Sequence, residues 1–196
     1  MNVPRLIAIT PGDPSYNLHG AFETLGSHGW PAVILREPHR TATENDALIQ
    51  FAYDVGIQMV ILHEKSPHTR KTSTIHAGEG WSGDTRAEIV GVSCHNADQI
   101  QNALSTGADY TLLSPLFSPT SKPLDERTPL GIQRFLRIAK EQPVLALGGI
   151  NTENYAQVLA AGVHGVAIMG AIFNNPATAA EFLKIYGNQK INSSSS

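Results

Sequence analysis

The chain has 196 residues, 41% of them hydrophobic and 16% charged, with a formal net charge of -3. That composition describes one globular domain with a sizeable core, and it lacks the positive field that nucleic acid or an anionic membrane would require. The single cysteine, Cys94, excludes an intrachain disulfide and a Cys-based metal cluster, and fits a reducing cytoplasm. From the N-terminus, short β-rich apolar runs follow one another: "RLIAIT" (5–10), "AVILRE" (32–37), "QMVILHE" (58–64), "STIHAG" (73–78), "EIVGVSCH" (88–95), "YTLLSPLF" (110–117), "PVLALGGI" (143–150) and "GVAIMGAIF" (165–173). Most are continuously apolar, as a parallel strand is when both its faces are buried. None approaches the roughly 20 residues of a membrane span, and "MNVPRLIAITPGD" carries no signal-peptide core.

Amphipathic segments lie between these runs, most clearly at 41–56, 96–107, 131–142, 151–162 and 175–187. The first opens with Thr41 and Glu44 at capping-box spacing and closes at Gly56, with Leu48, Phe51, Ala52 and Val55 as its buried stripe. Asn96 to Gly107 and Asn151 to Gly162 repeat that grammar of polar cap, amphipathic run and terminal glycine. Eight strands alternating with helices predict a (β/α)8 TIM barrel over residues 1–188, with 189–196 as a disordered tail. The structural rival is an open doubly wound sheet. Only "KSPHTRKT" and "EGWSGDTRA" join the third, fourth and fifth runs, so the third and fourth helices are expected to be shortened or missing.

Function in such a barrel collects at the C-terminal strand ends. These hold Thr10, Arg36, Glu37, His63, Glu64, His76, Ser93, His95, the loop 114–122, Gly148, Gly149, Met169 and Gly170. Strand ends are also polar because they meet water, but these residues are compatible parts of one site. Gly148 and Gly149 before the Asn151 cap, with Gly170 at the eighth run, match the phosphate site that barrels build after their last two strands. Lys122, with the hydroxyls of Ser118, Thr120 and Ser121, and Arg36 across the mouth, would grip a second anionic group or a diphosphate. Glu64, helped by Glu79 or Asp84, would then suit Mg²⁺, although Glu64 can equally pair with Lys65 or Arg70 at the surface. The histidines carry no zinc-ligand spacing.

The stretch "GVSCHNADQIQNALSTGADYTLLSPLFSPTSKP", then "GI" at 131–132 and "PVLALGGINTENYAQVLAAGVHGVAIMGAIF", closely resembles the thiamine phosphate synthase/TenI superfamily over residues 90 to 173. The earlier "LIAITP", "AVILRE" and "STIHAGEGW" match it more loosely. The resemblance implies a (β/α)8 barrel that couples hydroxymethylpyrimidine diphosphate to a thiazole phosphate and releases diphosphate, with Mg²⁺ and basic residues stabilising the leaving group. It implies diphosphate contacts for Arg36, Lys122, Ser121 and Ser93, with Thr120 beside them. It also implies a place beside the pyrimidine for His76, and a thiazole phosphate cradle from Gly148 and Gly149 with the backbone at Met169 and Gly170.

Departures gather in the pyrimidine diphosphate half-site. Ile34 stands where the family has Gln, Pro38 where it has Lys, His63 where it has Asn, and Pro119 where it has Thr. The second metal-binding Asp falls near Trp81. Two alternatives therefore stand beside the synthase: a TenI-like thiazole tautomerase, whose proton-carrying His corresponds here to Pro115, and a non-catalytic thiazole phosphate-binding protein. The expected partners are small phosphorylated thiazole and pyrimidine substrates, with no nucleic acid and no membrane. The lost helices would leave apolar barrel wall for a second copy or a partner to cover.

Overall fold

A computed structural model describes residues 3–69, 73–83, 87–118 and 128–193, the last six of these as backbone only. Eight strands close into a parallel barrel in sequence order. They are β1 (Leu6–Ile9), β2 (Ala32–Leu35), β3 (Val60–His63), β4 (Thr74–Ala77), β5 (Ile89–Cys94), β6 (Tyr110–Leu113), β7 (Val144–Leu147) and β8 (Gly165–Ile168). The β1–β8 pairing, Ile7 opposite Ala167, closes the ring, so the open doubly wound sheet is set aside.

The continuous apolarity of the runs is explained by two cores. Outward residues such as Leu6, Val33, Leu62 and Val144 pack under the helices, while inward ones such as Ile7, Ile34, Ile61, Leu112 and Leu145 fill the barrel. Each such side chain is worth about 1.5–3 kcal/mol when fully buried.

The helices are α1 (Leu18–Ser27), α2 (Ala42–Asp54), α3 (Ala97–Thr106), α4 (Gly131–Ala139), α5 (Thr152–Ala160), α6 (Gly170–Asn174) and α7 (Ala179–Ser193). The Thr41–Glu44 capping box forms as its spacing predicts, and Asn96 and Asn151 cap α3 and α5. Helix α1 is absent from the clearest sequence segments because Gly20 and Gly26 interrupt it. Gly26 is there because a Cβ would strike the Val55 carbonyl at the end of α2. Helix α7 continues to Ser193, into the segment expected as a tail. Extending an existing helix is far easier than nucleating one.

Among the described residues no helix follows β3 or β4, as expected. The apolar wall there is nevertheless not bare. Leu62, Ala77, Val92 and Cys94 are all buried within the chain, and Trp81 packs against the same core. The only large apolar side chain exposed among the described residues is Tyr53, which lies on α2.

Candidate active site at the barrel mouth

A cavity of ≈ 370 Å³ opens at the C-terminal ends of the strands. Its walls include Arg36, His63, His76, Ser93, Gly148, Gly149, Met169 and Gly170, so the structure brings these predicted site residues together. The floor is divided. Over β3–β5 it is polar (His63, His76, Ser93), and elsewhere it is apolar (Ile9, Ile34, Leu112, Leu147, Ala167).

His76 anchors the polar half. It is fully enclosed, with Nδ1 3.2 Å from the Tyr110 hydroxyl and Nε2 2.9 Å from Ser93 Oγ. Burial, reinforced by nearby His63, pushes its pKa down to about 3. Burial likewise lowers His63 to about 4, with Arg36 and Lys65 adding to the effect. Both imidazoles are therefore neutral near pH 7. His63 Nδ1 accepts from the Lys65 backbone N–H at 3.1 Å, so its own proton sits on Nε2.

Arg36 is aimed by backbone. Its Nη1 donates to the Pro11 carbonyl at 3.2 Å, and its N–H to Thr10 Oγ1 at 2.8 Å. Gly12 has φ +70°, and a Cβ there would lie 2.9 Å from Arg36 Nη1. Glu37 does not enter the cavity. It is buried beneath the mouth, accepts from the Gly12 N–H at 3.2 Å, and meets His39 and Arg40 at 3.4 and 3.6 Å.

Glu64 is exposed beside the cavity, with Oε1 close over Gly78. Its backbone N–H donates to the His76 carbonyl at 3.0 Å. Glu79 is engaged with the Gln99 amide and lies 3.9 Å from His95 Nε2. Among the described residues no three His, Cys, Asp or Glu gather as a metal cluster. Glu64 itself is not among the residues that line the cavity.

The glycine pair has a packing role as well as a possible binding one. Gly148 and Gly149 have φ +107° and +64°. A Cβ on Gly148 would come 2.9 Å from Pro115, and one on Gly149 would come 2.7 Å from Phe117 Cβ and the Ser118 carbonyl. The segment after β6 crosses over them, donating from Leu116 and Phe117 N–H to the Leu147 and Gly148 carbonyls at 2.8 and 3.1 Å. Helix α5 is capped by Asn151, whose side chain accepts from Glu153 and Asn154 N–H. Helix α6, which begins at Gly170, has no side-chain cap.

Thr120, Ser121 and Lys122 lie outside the described residues, as do Pro119 and Asp84. Two features escaped the sequence reading. Tyr110 starts β6, at the opposite end of the strand from the mouth, yet its hydroxyl reaches His76. The signal was Gly91 inside β5, since a glycine within a strand marks a close neighbour. The other is that His95 and Ser114, flagged only as strand-end residues, are joined: His95 Nδ1 donates to the Ser114 carbonyl at 3.0 Å, with Ser114 Oγ at 3.2 Å.

The closed parallel barrel, with a cavity at its strand ends walled by an arginine, imidazoles and glycines, defines a (β/α)8-barrel protein with one candidate site at its mouth. Residues 84–172 match the family model described as thiamine monophosphate synthase. A thiamine-phosphate synthase of Chloroflexus aurantiacus is 39% identical over 87 residues, 43% of this chain and 40% of that protein. One from Methanoregula boonei is 36% identical over 115 residues, 52% of this chain and 51% of that protein. The chain therefore spans about half the length, or less, of the curated relatives it matches. Thiamine phosphate pyrophosphorylase from Pyrococcus furiosus shares the fold at a TM-score of 0.75 and 21% identity, covering 94% of this chain and 96% of that one. The second half of the chain is thus similar to thiamine-phosphate synthases, and the barrel as a whole shares their fold.

Proposed function

We propose that the protein is a thiamine phosphate synthase-type transferase of thiamine biosynthesis, joining hydroxymethylpyrimidine diphosphate to thiazole phosphate and releasing diphosphate. The observation that carries this is the single cavity bringing Arg36 and Ser93 opposite the glycine turns at 148–149 and 169–170, inside and beside the family-matched segment. In this reading the C–O bond between the pyrimidine methylene and the diphosphate breaks, and the electron pair leaves with the diphosphate. The thiazole nitrogen then supplies the pair for the new C–N bond. Arg36 forks onto the diphosphate and Ser93 donates to it, so both act mainly by stabilising departing charge. Lys122, Ser121 and Thr120, which follow β6 in the chain, would contact the same group, as the resemblance implies. The thiazole phosphate would rest on backbone N–H groups at Gly148, Gly149, Met169 and Gly170. Glu64 would hold Mg²⁺, which when bound supplies further charge neutralisation.

The setting fits a reducing cytoplasm. Cys94 is buried and its thiol is pushed up to about 11 by burial, with Glu79 adding to the effect, so it is an inert core residue. A second copy on the β3–β5 side is compatible with this reading but is not needed to bury the wall.

The test is incubation with both substrates and Mg²⁺, following thiamine phosphate. Product at a rate dependent on both substrates is expected, and none under saturating conditions would overturn the proposal. A second reading, a thiazole phosphate binder without turnover, is favoured by Ile34 and His63 facing the cavity where the family has Gln and Asn. Tight thiazole phosphate binding without product would select it. The tautomerase reading meets a buried Pro115 against Gly148, which carries no proton. Exchange of thiazole tautomers without coupling would restore it.

A further inference from the structure

We propose that Tyr110 is a positioning residue whose hydroxyl fixes the tautomer of His76, so that Ser93 presents its O–H, and not a lone pair, to an anionic oxygen in the cavity. This rests on the cavity taking an anionic ligand, as the proposed function has it.

The argument begins with space. Tyr110 lies opposite Gly91 in the β5–β6 register and is fully buried inside the barrel. A Cβ on Gly91 would fall within the Tyr110 ring, so this glycine is what allows a tyrosine there. A buried phenol needs a hydrogen-bond partner, and His76 Nδ1 at 3.2 Å supplies it.

The rest follows from proton accounting. Tyr110 is fully buried, so its phenol keeps its proton, and the enclosed His76 ring meets a hydroxyl at each nitrogen, as a neutral imidazole does. A neutral imidazole has one N–H and one lone pair. Two hydroxyls flank it, and the phenol is the more acidic, so it makes the stronger donor. Tyr110 therefore donates to Nδ1, and the ring proton sits on Nε2. Nε2–H donates to Ser93 Oγ at 2.9 Å, and the serine hydrogen is left to turn into the cavity that Ser93 lines. The opposite tautomer would use the serine proton on Nε2 and face an anion with lone pairs. His63 follows the same logic: its Nδ1 accepts from backbone, which leaves Nε2–H as a donor in the same cavity wall. Neutral donors beside Arg36 suit a phosphate or diphosphate oxygen.

Nitrogen NMR of the imidazole rings at pH 7, with calorimetric titration of inorganic diphosphate, tests this. In the wild type His76 should be the Nε2–H tautomer. Tyr110→Phe keeps the ring and removes the hydroxyl. It should shift His76 towards Nδ1–H and weaken diphosphate about five- to tenfold. Ser93→Ala should weaken diphosphate similarly and make Tyr110→Phe silent when the two are combined. A wild-type Nδ1–H tautomer, or a Tyr110→Phe protein with unchanged tautomer and affinity, would overturn the relay. Failure of the wild type to bind diphosphate would overturn the anionic-ligand half of the proposal and the synthase reading with it, while leaving the tautomer assignment to stand or fall on its spectrum.

Discussion

The two halves of the barrel contribute to the mouth by different means. From β5 to β8, within the matched residues 84–172, side chains such as Ser93, Leu112 and Leu147 line the cavity, but they are held by close approaches to glycine backbone. Gly91 admits Tyr110, and Gly148 and Gly149 admit the segment after β6. From β1 to β4 the cavity is shaped by side chains: Ile9, Ile34, Arg36, His63 and His76. A backbone contact tolerates almost no substitution, because any Cβ collides. A side chain facing a cavity can be exchanged while the strand keeps its ladder. This is a physical reason why most recognisable motifs lie in the second half while departures such as Ile34 and His63 lie in the first.

The strongest challenge to that contrast is Gly91→Val. The new side chain would have to displace the Tyr110 ring, so unfolding stability in urea should fall by about 3 kcal/mol. An unchanged midpoint would break the backbone-versus-side-chain distinction.

A crossed pair of variants comes next. Arg36→Ala should raise KM for the pyrimidine diphosphate about 30-fold, the loss expected for a hydrogen bond to a charged group, and leave thiazole phosphate binding nearly unchanged. Gly149→Ala should do the reverse, because the added methyl pushes on Phe117 and the Ser118 carbonyl at 2.7 Å. Steady-state kinetics varying each substrate in turn would show the crossing, and equal losses in both substrates would erase it.

The pH dependence sharpens the boundary between the halves. His76 has a folded pKa of about 3, below the usual His value near 6.5, so the unfolded chain binds the extra proton between the two. Its contribution is fully present above about pH 6.5 and is lost as pH falls towards the folded value, at up to ~1.4 kcal/mol per pH unit. Melting temperatures from pH 7 down to 4 should decline, and His76→Gln should flatten the decline.

The smallest effect should be alike in both halves. Thr41→Ala and Asn151→Ala each remove a capping box and should each cost about 1 kcal/mol by urea denaturation. Unequal losses would mean that one of these caps also serves the site.

The strands, the capped helices α2, α3 and α5, the missing helices beside β4 and the strand-end location of the site were all legible in the sequence. They depend on local signals: apolar runs, cap residues, terminal glycines and segment lengths. Arg36, His76, Ser93 and the glycines could be placed at one mouth because barrel topology sends every strand end to the same face. Helix α1 was harder to see because Gly20 and Gly26 weaken its pattern, and Gly26 serves a contact with the Val55 carbonyl on another helix. The burial of the β3–β5 wall was not legible either, since Trp81 and Ala87, which pack against the core there, sit in a segment with no periodicity.

Chain order and hydrophobic pattern were enough to specify parallel strands buried on both faces, while the β1–β8 pairing that makes the sheet a closed barrel and not an open doubly wound one is seen in the fold. What needed the folded molecule was which polar groups meet across strands. Tyr110, His76 and Ser93 come from three different strands and share a hydrogen-bonded line, and Glu37, next to Arg36 in sequence, turns to Gly12 beneath the mouth. Past the end of β2 each residue follows its own hydrogen bonds, so proximity in sequence and proximity in the site are set by different geometry.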